Sequence, residues 1–206
     1  MGDMTLKVVM SAYLGELASD SPTPGGGSAA ALSAALGAAT GRMAASFTLG
    51  RKKYAAVQEA VARLEGRLAR SQAMAEQLVV EDMTAFEALQ TANSRGAQVD
   101  QAEKAAVIAG VVAVPMQVAG VAGAILGDLD ALKDMANPFL LSDVAVGAEL
   151  AMASARAAAV NVRVNLSGLS AEEAARVAGQ LEETIGHARV HYESVLAYTN
   201  REIGGG

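Results

Sequence analysis

The stretch from Pro22 to Tyr54 constrains this chain more than any other part of its sequence. It reads PTPGGGSAAALSAALGAATGRMAASFTLGRKKY. The two prolines bias the residues before them away from helical backbone angles, and the three glycines let the backbone lie close to whatever sits above it. We therefore expect a helix to begin at the glycines. Its free backbone N–H groups and the positive end of its dipole favour an anion or a polar ligand edge.

The helix that follows this turn is predicted to be almost free of large side chains. Between Ser28 and Ala45, the bulky apolar residues are Leu32, Leu36 and Met43. Small side chains allow neighbouring helices to approach closely. We therefore expect a central, buried helix against which longer apolar helices pack.

A glycine and a basic run mark the far end of this helix. Gly50 is predicted to take the left-handed conformation that closes many helices, and Arg51, Lys52 and Lys53 follow where cations complement the helix dipole. Tyr54 is predicted to open the next helix. A glycine triplet is usually only a loop and a basic run only a solvated cap, so it is their joint arrangement that indicates a function.

The composition favours one all-α domain over residues 1–206. The chain is 52% hydrophobic but only 3% aromatic, so its core is built from Ala, Val, Leu and Met. Ala, Leu and Met are good helix formers, and clusters of strand-favouring residues are hard to find. We expect a bundle or array of about six to eight helices, organised around the helix at 26–49.

Hydrophobic spacing and turn residues predict the remaining elements. An amphipathic first helix is expected to lie outside the bundle. Ser170 and Glu173 form a capping box for the last helix. The predicted helices run from about Met4 to Ala18, Tyr54 to about Ala92, Ala105 to Gly127, a short piece to about Met135, Ser142 to about Asn165, and Ser170 to about Arg201. The connections are predicted at Thr91–Asp100, at a break around Gly127–Asp130 and at Asn137–Pro138, and Gly204–Gly206 is predicted to be a frayed end.

Charge and cysteine content narrow the possible functions. The formal charge of −6 and the absence of an extended basic face argue against a nucleic-acid partner. The chain has no cysteine, which excludes a disulfide framework, a thiolate metal site and a cysteine nucleophile. The N-terminal sequence lacks the pattern of a signal peptide, so we expect a cytoplasmic protein.

The segment Ala105–Gly127 carries no charge and is long enough on paper to span a bilayer. Pro115, Gln117 and the small size of its side chains make it a poor span. A buried, proline-kinked helix is the favoured interpretation, so we expect no membrane association.

Five motifs give the chain a resemblance to a known family, in that family's order and over most of the sequence. They are PTPGGGSAAALSAALG at 22–37, TLGRKKY at 48–54, the pattern of Asp82, Ala85 and Phe86, VPMQVA at 114–119, and NPFLLSDVAVGAEL with AAAVNVRVNL at 137–166. With these motifs the chain resembles the cyclodeaminase/cyclohydrolase family of folate one-carbon metabolism. That family includes formimidoyltetrahydrofolate cyclodeaminase and a bacterial methenyltetrahydrofolate cyclohydrolase.

The resemblance implies an enzyme that opens or closes the methenyl bridge of tetrahydrofolate. The substrate would be a tetrahydrofolate derivative, with no metal and no permanently bound cofactor, and the protein would be a homodimer. Both family reactions involve a cationic methenyl carbon, which a carboxylate stabilises and an ammonium group complements as a proton donor.

The resemblance also assigns roles to individual residues. Asp143 is expected to be the acid–base or cation-stabilising group, and Lys52 or Lys53 the proton donor or electrostatic partner. Expected wall residues of the folate pocket are Thr23, Pro24, Gly25, Gly26, Gly27, Ser28 and Ser142; expected contacts of the pterin edges are Asp82, Asn137, Asn161 and Asn165; expected contacts of the glutamate tail are Arg51 and Arg163. Asn161 and Asn165 have an alternative interpretation, which is to satisfy backbone groups between close helices.

Two departures from the family pattern leave alternatives open. Arg51 stands where the family often has lysine, and arginine holds its proton, while the segment 91–99 is shorter than in many members. A non-catalytic folate- or small-molecule-binding relative is therefore an alternative, and a purely structural or membrane-associated helical protein is a third.

Other catalytic arrangements have weaker support in the sequence. His187 and His191 have metal-ligand spacing on the last helix but no evident third ligand, so a solvated or interface pair is the favoured interpretation. Ser28 and Ser142 have no histidine nearby in the sequence, which disfavours a serine triad.

Overall fold

The computed structural model describes residues 6–204, which form six α-helices and four short 3-10 turns. The α-helices are α1 Leu6–Leu17, α2 Gly26–Thr48, α3 Gln58–Arg95, α4 Gln101–Leu132, α5 Leu141–Asn165 and α6 Ala171–Gly204. The 3-10 turns are Lys52–Val57, Gly96–Gln98, Pro138–Leu140 and Leu166–Gly168. No strand occurs in residues 6–204, which confirms the all-α prediction. Met4 and Gly205–Gly206, at the two predicted ends, lie outside the described residues.

The small-residue helix α2 is central, as predicted. It packs against α3 on one side, α5 on the other and α4 beneath, while α4 and α5 also pack against α6. Its alanines at positions 31, 34, 38 and 45 are fully buried, as are Leu68 of α3 and Leu129 of α4. A Cβ at Gly41 would lie 2.5 Å from Leu129 Cδ2, so Leu129 of α4 can pack here only because position 41 of α2 has no side chain.

The helix predicted to start at Tyr54 starts later, at Gln58. Residues 52–57 form a 3-10 turn in which Tyr54 has non-helical backbone angles, with φ −110° and ψ 25°. The side chain of Gln58 holds this turn, because its Oε1 accepts from Gly50 N and its Nε2 donates to the carbonyls of Thr48 and Tyr54. Gly50 has a φ of 72°, which confirms its predicted left-handed conformation.

The break predicted around Gly127 is wrong, because α4 continues to Leu132. Its aspartates are tolerated within the helix because both are paired: Asp128 with Arg67 at 2.8 Å and Asp130 with Lys133 at 2.8 Å. The loop predicted at 91–100 is also shorter than expected, since α3 runs to Arg95 and α4 starts at Gln101.

The predicted starts of the last two helices are confirmed. Asn137 and Pro138 precede α5, which begins at Leu141, and α5 ends at Asn165 as expected. The capping box forms before α6: Glu173 N donates to Ser170 Oγ at 3.3 Å, and Ser170 N and Oγ donate to Glu173 Oε2. The outer helix α1 leaves Val9, Met10 and Leu14 about half exposed, so its apolar stripe is only partly covered.

Two helical segments, Gln101–Leu132 and Pro138–Gly168, are long and apolar enough to cross a membrane. Their most apolar windows are 44% and 50% buried within the protein, and core helices of soluble proteins pass the same test of length and composition. Val112, Val114 and Val118 of α4 are buried beside Pro115, so the predicted helix with an internal proline forms and is buried in part, whereas its predicted kink stays a prediction.

Candidate functional site

A cavity of about 220 Å³ lies at the start of α2, enclosed by α3, α4 and α5. The residues that line it are Pro22, Thr23, Gly25, Gly26, Gly27, Asp82, Ala85, Phe86, Val111, Val114, Pro115, Asn161, Val164 and Asn165. The walls from α4 are apolar, whereas backbone amides, a carboxylate and two side-chain amides converge from the other sides. Such a combination is typical of a small-molecule site. We call this space the glycine cavity.

The start of α2 presents backbone N–H groups to the glycine cavity. Gly25 precedes the helix with extended backbone, φ −133° and ψ −163°, and offers no side chain to cap it. The N–H groups of Gly26 and Gly27, in the first turn, therefore have no intrahelical acceptor. The Thr23–Pro24 peptide before them is cis, and Thr23 Oγ1 donates to Glu87 Oε1 at 3.0 Å.

Asp82 of α3 lies directly against this helix start. The Ser28 backbone N–H donates to its carboxylate, and a Cβ at Gly27 would lie only 1.9 Å from Asp82 Oδ1. Glycine at position 27 is thus what allows the carboxylate to reach the helix start. Burial raises the pKa of Asp82, while the hydrogen bond from Ser28 acts in the opposite direction. Among the described residues lining the glycine cavity, Asp82 is the only ionisable one.

The two asparagines of α5 play different parts. Asn165 Nδ2 donates to the carbonyl of Val111 at 2.8 Å, so the alternative interpretation, a hydrogen bond to a backbone group between helices, is confirmed for it. Asn161 forms no side-chain hydrogen bond with the described residues, and its Oδ1 lies near Gly26. Its amide therefore faces the cavity with its hydrogen-bonding capacity unused.

The basic run lies at the opposite end of α2. Because α2 has 23 residues, about 34 Å of helix separates the glycines from Lys52 and Lys53. A second cavity of about 320 Å³ opens there between the 52–57 turn and the end of α6, and Lys53 and Tyr54 line it. Tyr54 OH donates to Asn137 Oδ1 at 3.0 Å, and the Asn137 backbone N–H donates to Thr48 Oγ1 at 2.9 Å.

The predicted site residues are therefore divided within one protomer. Asp143 is half-buried and Ser142 exposed in the first turn of α5, and neither lines the glycine cavity. Arg163 pairs with Glu182 of α6 at 2.7 Å. The structure brings together Thr23, Gly25, Gly26, Gly27, Asp82, Asn161 and Asn165. It places Arg51, Lys52, Lys53, Asn137, Ser142 and Asp143 towards the other end of α2, and leaves Pro24 and Ser28 buried outside the cavity lining.

Several cavity residues were not among the predicted site residues. Phe86 and Ala85 come one turn after Asp82 on α3, and Val111, Val114 and Pro115 form the α4 wall. The signals were present, because Asp82, Ala85 and Phe86 form one motif and VPMQVA another. Sequence alone does not say, however, which apolar residues of a buried helix face a cavity.

The two histidines do not meet at one centre. His191 Nδ1 lies 2.9 Å from Asp130 Oδ2, and His187 is exposed. Burial raises the pKa of Asp130, but hydrogen bonds from Lys133, Ser194 and His191 outweigh this and hold it below its ordinary value. Within residues 6–204, no group of three or more His, Cys, Asp or Glu side chains is placed to hold a metal ion.

Comparison with known proteins gives three consistent results. Residues 9–183 match the family described as Formiminotransferase-cyclodeaminase. The chain is 35% identical over 167 residues to the methenyltetrahydrofolate cyclohydrolase of Methylorubrum extorquens, a match that covers 76% of this chain and 78% of that protein. Its fold matches the crystal structure of formiminotetrahydrofolate cyclodeaminase from Thermotoga maritima with a TM-score of 0.84 and 27% identity, over 98% of this chain and 96% of the other.

Proposed function

Because the chain belongs to the formiminotransferase-cyclodeaminase family, whose members act on folate one-carbon derivatives, we propose that it is a methenyltetrahydrofolate cyclohydrolase working in the glycine cavity. The family makes it an enzyme of tetrahydrofolate-bound one-carbon units. The choice of the hydrolytic reaction is supported by the relative at 35% identity, which bears that name.

One observation carries the proposed site: a single carboxylate, that of Asp82, faces a cavity otherwise lined by apolar groups and amides. A carboxylate in such surroundings suits a substrate whose reacting carbon is cationic, because little water screens their attraction. Burial raises the pKa of Asp82, which brings it closer to the range in which a carboxyl group both takes and returns a proton. We therefore assign the acid–base role to Asp82.

The proposed reaction balances with Asp82 as the only acid–base group. Water adds to the methenyl carbon, a C–O bond forms, and the Asp82 carboxylate takes the proton that the water loses. The bond from this carbon to N5 then breaks, its electron pair goes to N5, and the Asp82 carboxyl returns the proton there. The new hydroxyl loses its proton to solvent as the formyl C=O forms. The net change is one water consumed and one proton released, without a resident cofactor.

The remaining cavity groups hold the substrate. The N–H groups of Gly26 and Gly27 and the amide of Asn161 are placed to bind polar edges of the pterin, while Phe86 and Val114 cover its faces. Asn165 is committed to Val111 through its Nδ2 and has only its oxygen left for a ligand. This assignment keeps the predicted binding roles of the glycine cavity residues.

Cyclodeamination is the second candidate, and the structural match to a formiminotetrahydrofolate cyclodeaminase favours it. In that reaction N10 attacks the formimidoyl carbon that N5 carries, N10 loses its proton, and ammonia leaves, so the site must supply a proton to the departing amine. Asp82 meets this need when its carboxylate takes the proton that N10 loses and passes it to the amine, and burial raises its pKa in the direction that favours holding this proton. The same cavity would then serve either reaction.

We propose in addition that the protein is a homodimer of the cytoplasm and that its second copy completes the site. On the outer face of α2, Leu36, Met43 and Phe47 are 50%, 41% and 48% exposed, and Val146 of α5 is 50% exposed. An apolar face of this kind is typical of a subunit contact. A two-fold axis across the middle of α2 would bring the Lys52 end of one copy to the glycine cavity of the other.

Mixing two inactive variants tests this dimer. Asp82→Asn removes the proposed carboxylate, and the pair Lys52→Ala with Lys53→Ala removes the basic end. If each site combines the glycine cavity of one copy with the lysines of the other, co-expressed mixtures of the two variants regain activity. Some mixed dimers then hold one site in which both the Asp82 carboxylate and the two lysines are intact. Light scattering reports the mass, and recovery without a dimer, or a dimer without recovery, would contradict the shared site.

Stopped-flow absorbance with 5,10-methenyltetrahydrofolate tests the reaction itself. We expect decay of the methenyl band well above the buffer rate, and a loss of at least about a hundredfold in Asp82→Asn, as for removal of a general acid–base group. Asp143→Asn is assayed beside it, since it tests the other predicted carboxylate. Full activity in Asp82→Asn with loss in Asp143→Asn would overturn our assignment. Turnover of formimidoyltetrahydrofolate alone would favour the second candidate.

A further inference from the structure

Two cavities lie along α3 and α4: the glycine cavity, and another nearer the turn that joins these helices. Phe86 and Val111 line the glycine cavity, while Leu89 and Val107, one turn further along the same helix faces, line the second cavity, of about 180 Å³. Ile108, Asn93 and Lys104 also line it. We call this space the hairpin cavity.

The chemical character of the lining residues changes along α4 from the glycine cavity to the hairpin cavity. Backbone and side-chain amides with one carboxylate surround the first, aliphatic side chains such as Leu89, Val107 and Ile108 follow, and Asn93 and Lys104 bring polar groups to the far end. Val111 and Lys104 are seven residues apart on one helix, which is about 10 Å along its axis. A ligand that fits both cavities has a polar head, an apolar middle and an anionic end.

Within one protomer, Lys104 is a cation beside these cavities that remains available for a ligand. Arg95, beside the hairpin cavity, forms an ion pair with Glu103, and Arg163 of α5 pairs with Glu182. Of the ion pairs formed within residues 6–204, none involves Lys104. Its position in the first turn of α4 adds the positive end of a helix dipole, which also favours an anion.

We propose that the hairpin cavity binds the p-aminobenzoylglutamate part of the folate substrate and that Lys104 binds its glutamate carboxylates. This inference rests on the proposed function, because it takes the pterin to lie in the glycine cavity. The aromatic ring lies among the aliphatic side chains, and the carboxylates reach the ammonium group at the far end of the hairpin cavity. Lys104 thereby takes the role that the sequence suggested for Arg51 and Arg163.

Two substrates that differ only in the glutamate make the test selective. The protein is assayed with methenyltetrahydrofolate and with methenyltetrahydropteroate, which lacks the glutamate. Lys104→Ala is expected to raise KM for the first substrate about three- to tenfold with little change in kcat, and to leave both constants for the second unchanged. The size is modest because Lys104 is exposed and its ion pair with the ligand is screened. Added salt is expected to reduce the difference.

Two control variants separate this role from a general effect of charge. Lys104→Arg keeps the charge and is expected to restore KM, whereas Arg189→Ala removes an exposed cation of α6 and is expected to leave it unchanged. An equal change of KM for both substrates in Lys104→Ala, or no change for either, would overturn the inference.

A binding measurement keeps the inference apart from the proposed reaction. If the wild-type protein turns over neither substrate, the proposed function fails. Calorimetry with 5-formyltetrahydrofolate and 5-formyltetrahydropteroate then tests separately whether Lys104 binds the glutamate. A loss of affinity in Lys104→Ala confined to the glutamate-bearing ligand supports it. Equal affinities of wild type and variant for that ligand contradict it.

Discussion

Asn165 donates to the carbonyl of Val111 a hydrogen bond that α4 itself cannot supply. In a regular helix, the N–H of residue 115 would donate to the oxygen of residue 111, but proline has no N–H. Asn165 Nδ2 lies 2.8 Å from that oxygen and replaces the missing donor. The bond joins α5 to α4 at the wall of the glycine cavity, so the backbone at Val111 is held where the proposed substrate binds.

The first prediction concerns this replacement. Asn165→Ala should lower the free energy of unfolding by about 1–3 kcal/mol, because it leaves a partly buried carbonyl without a donor. In a Pro115→Ala background the same change should cost clearly less, since alanine at this position restores the backbone N–H. Urea denaturation of the four proteins measures this coupling. Asn200→Ala, on the exposed face of α6, is the control, and additive losses would show that the two residues are not linked.

The second prediction uses two neighbouring glycines. A Cβ at Gly27 would lie 1.9 Å from Asp82 Oδ1, whereas the nearest neighbour of a Cβ at Gly26 is Asn161 Oδ1 at 3.9 Å. Gly27→Ala should therefore displace the carboxylate, abolish most activity and cost about 1–3 kcal/mol of stability. Gly26→Ala should retain the fold and much of the activity. Adding Asp82→Ala to Gly27→Ala should restore the melting temperature but not the activity. Equal losses of activity and stability in Gly26→Ala and Gly27→Ala would contradict this geometry.

The third prediction concerns pH. The proposed mechanism needs the Asp82 carboxylate, and burial raises its pKa above the ordinary value of 3.8. The value of kcat/KM should therefore fall as the pH drops through that raised pKa, and this limb should vanish in Asp82→Asn. Stability should show the opposite trend, because a raised folded-state pKa favours the protonated form: the contribution is complete below the unfolded pKa and is lost as pH rises. Asp82→Asn should therefore unfold at a higher temperature than wild type at neutral pH.

The fourth prediction concerns the crossing of α2 and α5. A Cβ at Gly37 would lie 2.9 Å from the Gly147 carbonyl oxygen, and a Cβ at Gly147 would lie 2.8 Å from Thr40 Oγ1. Alanine at either position should force the helices apart and cost about 1–3 kcal/mol. Gly120→Ala is the control, since its Cβ would meet nothing within 4 Å and alanine is the better helix former by up to about 1 kcal/mol. In thermal denaturation, the melting temperature should therefore fall in Gly37→Ala and Gly147→Ala and rise in Gly120→Ala.

The fifth prediction compares two arginines of α3. Arg67 Nε lies 2.8 Å from Oδ1 of Asp128, whose side chain is only 2% exposed, whereas Arg63 and its partner Glu59 are both exposed. Arg67→Ala should lower the free energy of unfolding by about 1–3 kcal/mol at neutral pH, because a buried carboxylate loses its counter-charge. This value takes into account that the arginine itself is exposed and its charge is screened. Arg63→Ala should change stability by less than about 0.5 kcal/mol. Burial raises the pKa of Asp128, so the loss in Arg67→Ala should shrink towards acid pH, and equal losses from both arginines would contradict the argument.

The sequence by itself determined the helical class, the central position of α2, the family and the residues at the start of that helix. These features are local, because proline, glycine and alanine act through their own backbone and size. The Ser170 capping box and the left-handed Gly50 were predictable for the same reason. The continuation of α4 past Gly127 was not predictable, because the buried Asp128 is paired with Arg67 of α3, which lies far from it in the sequence.

Only the tertiary structure decided which of the predicted site residues meet. About 34 Å of helix keeps the glycines and the lysines apart in one protomer, although the sequence motifs place them in a single segment. The same packing brought Asp82 of α3 against Gly27 and turned Asn165 of α5 towards Val111. Contacts of this kind depend on the angles and register at which separate helices pack, and the local sequence of a single helix determines neither.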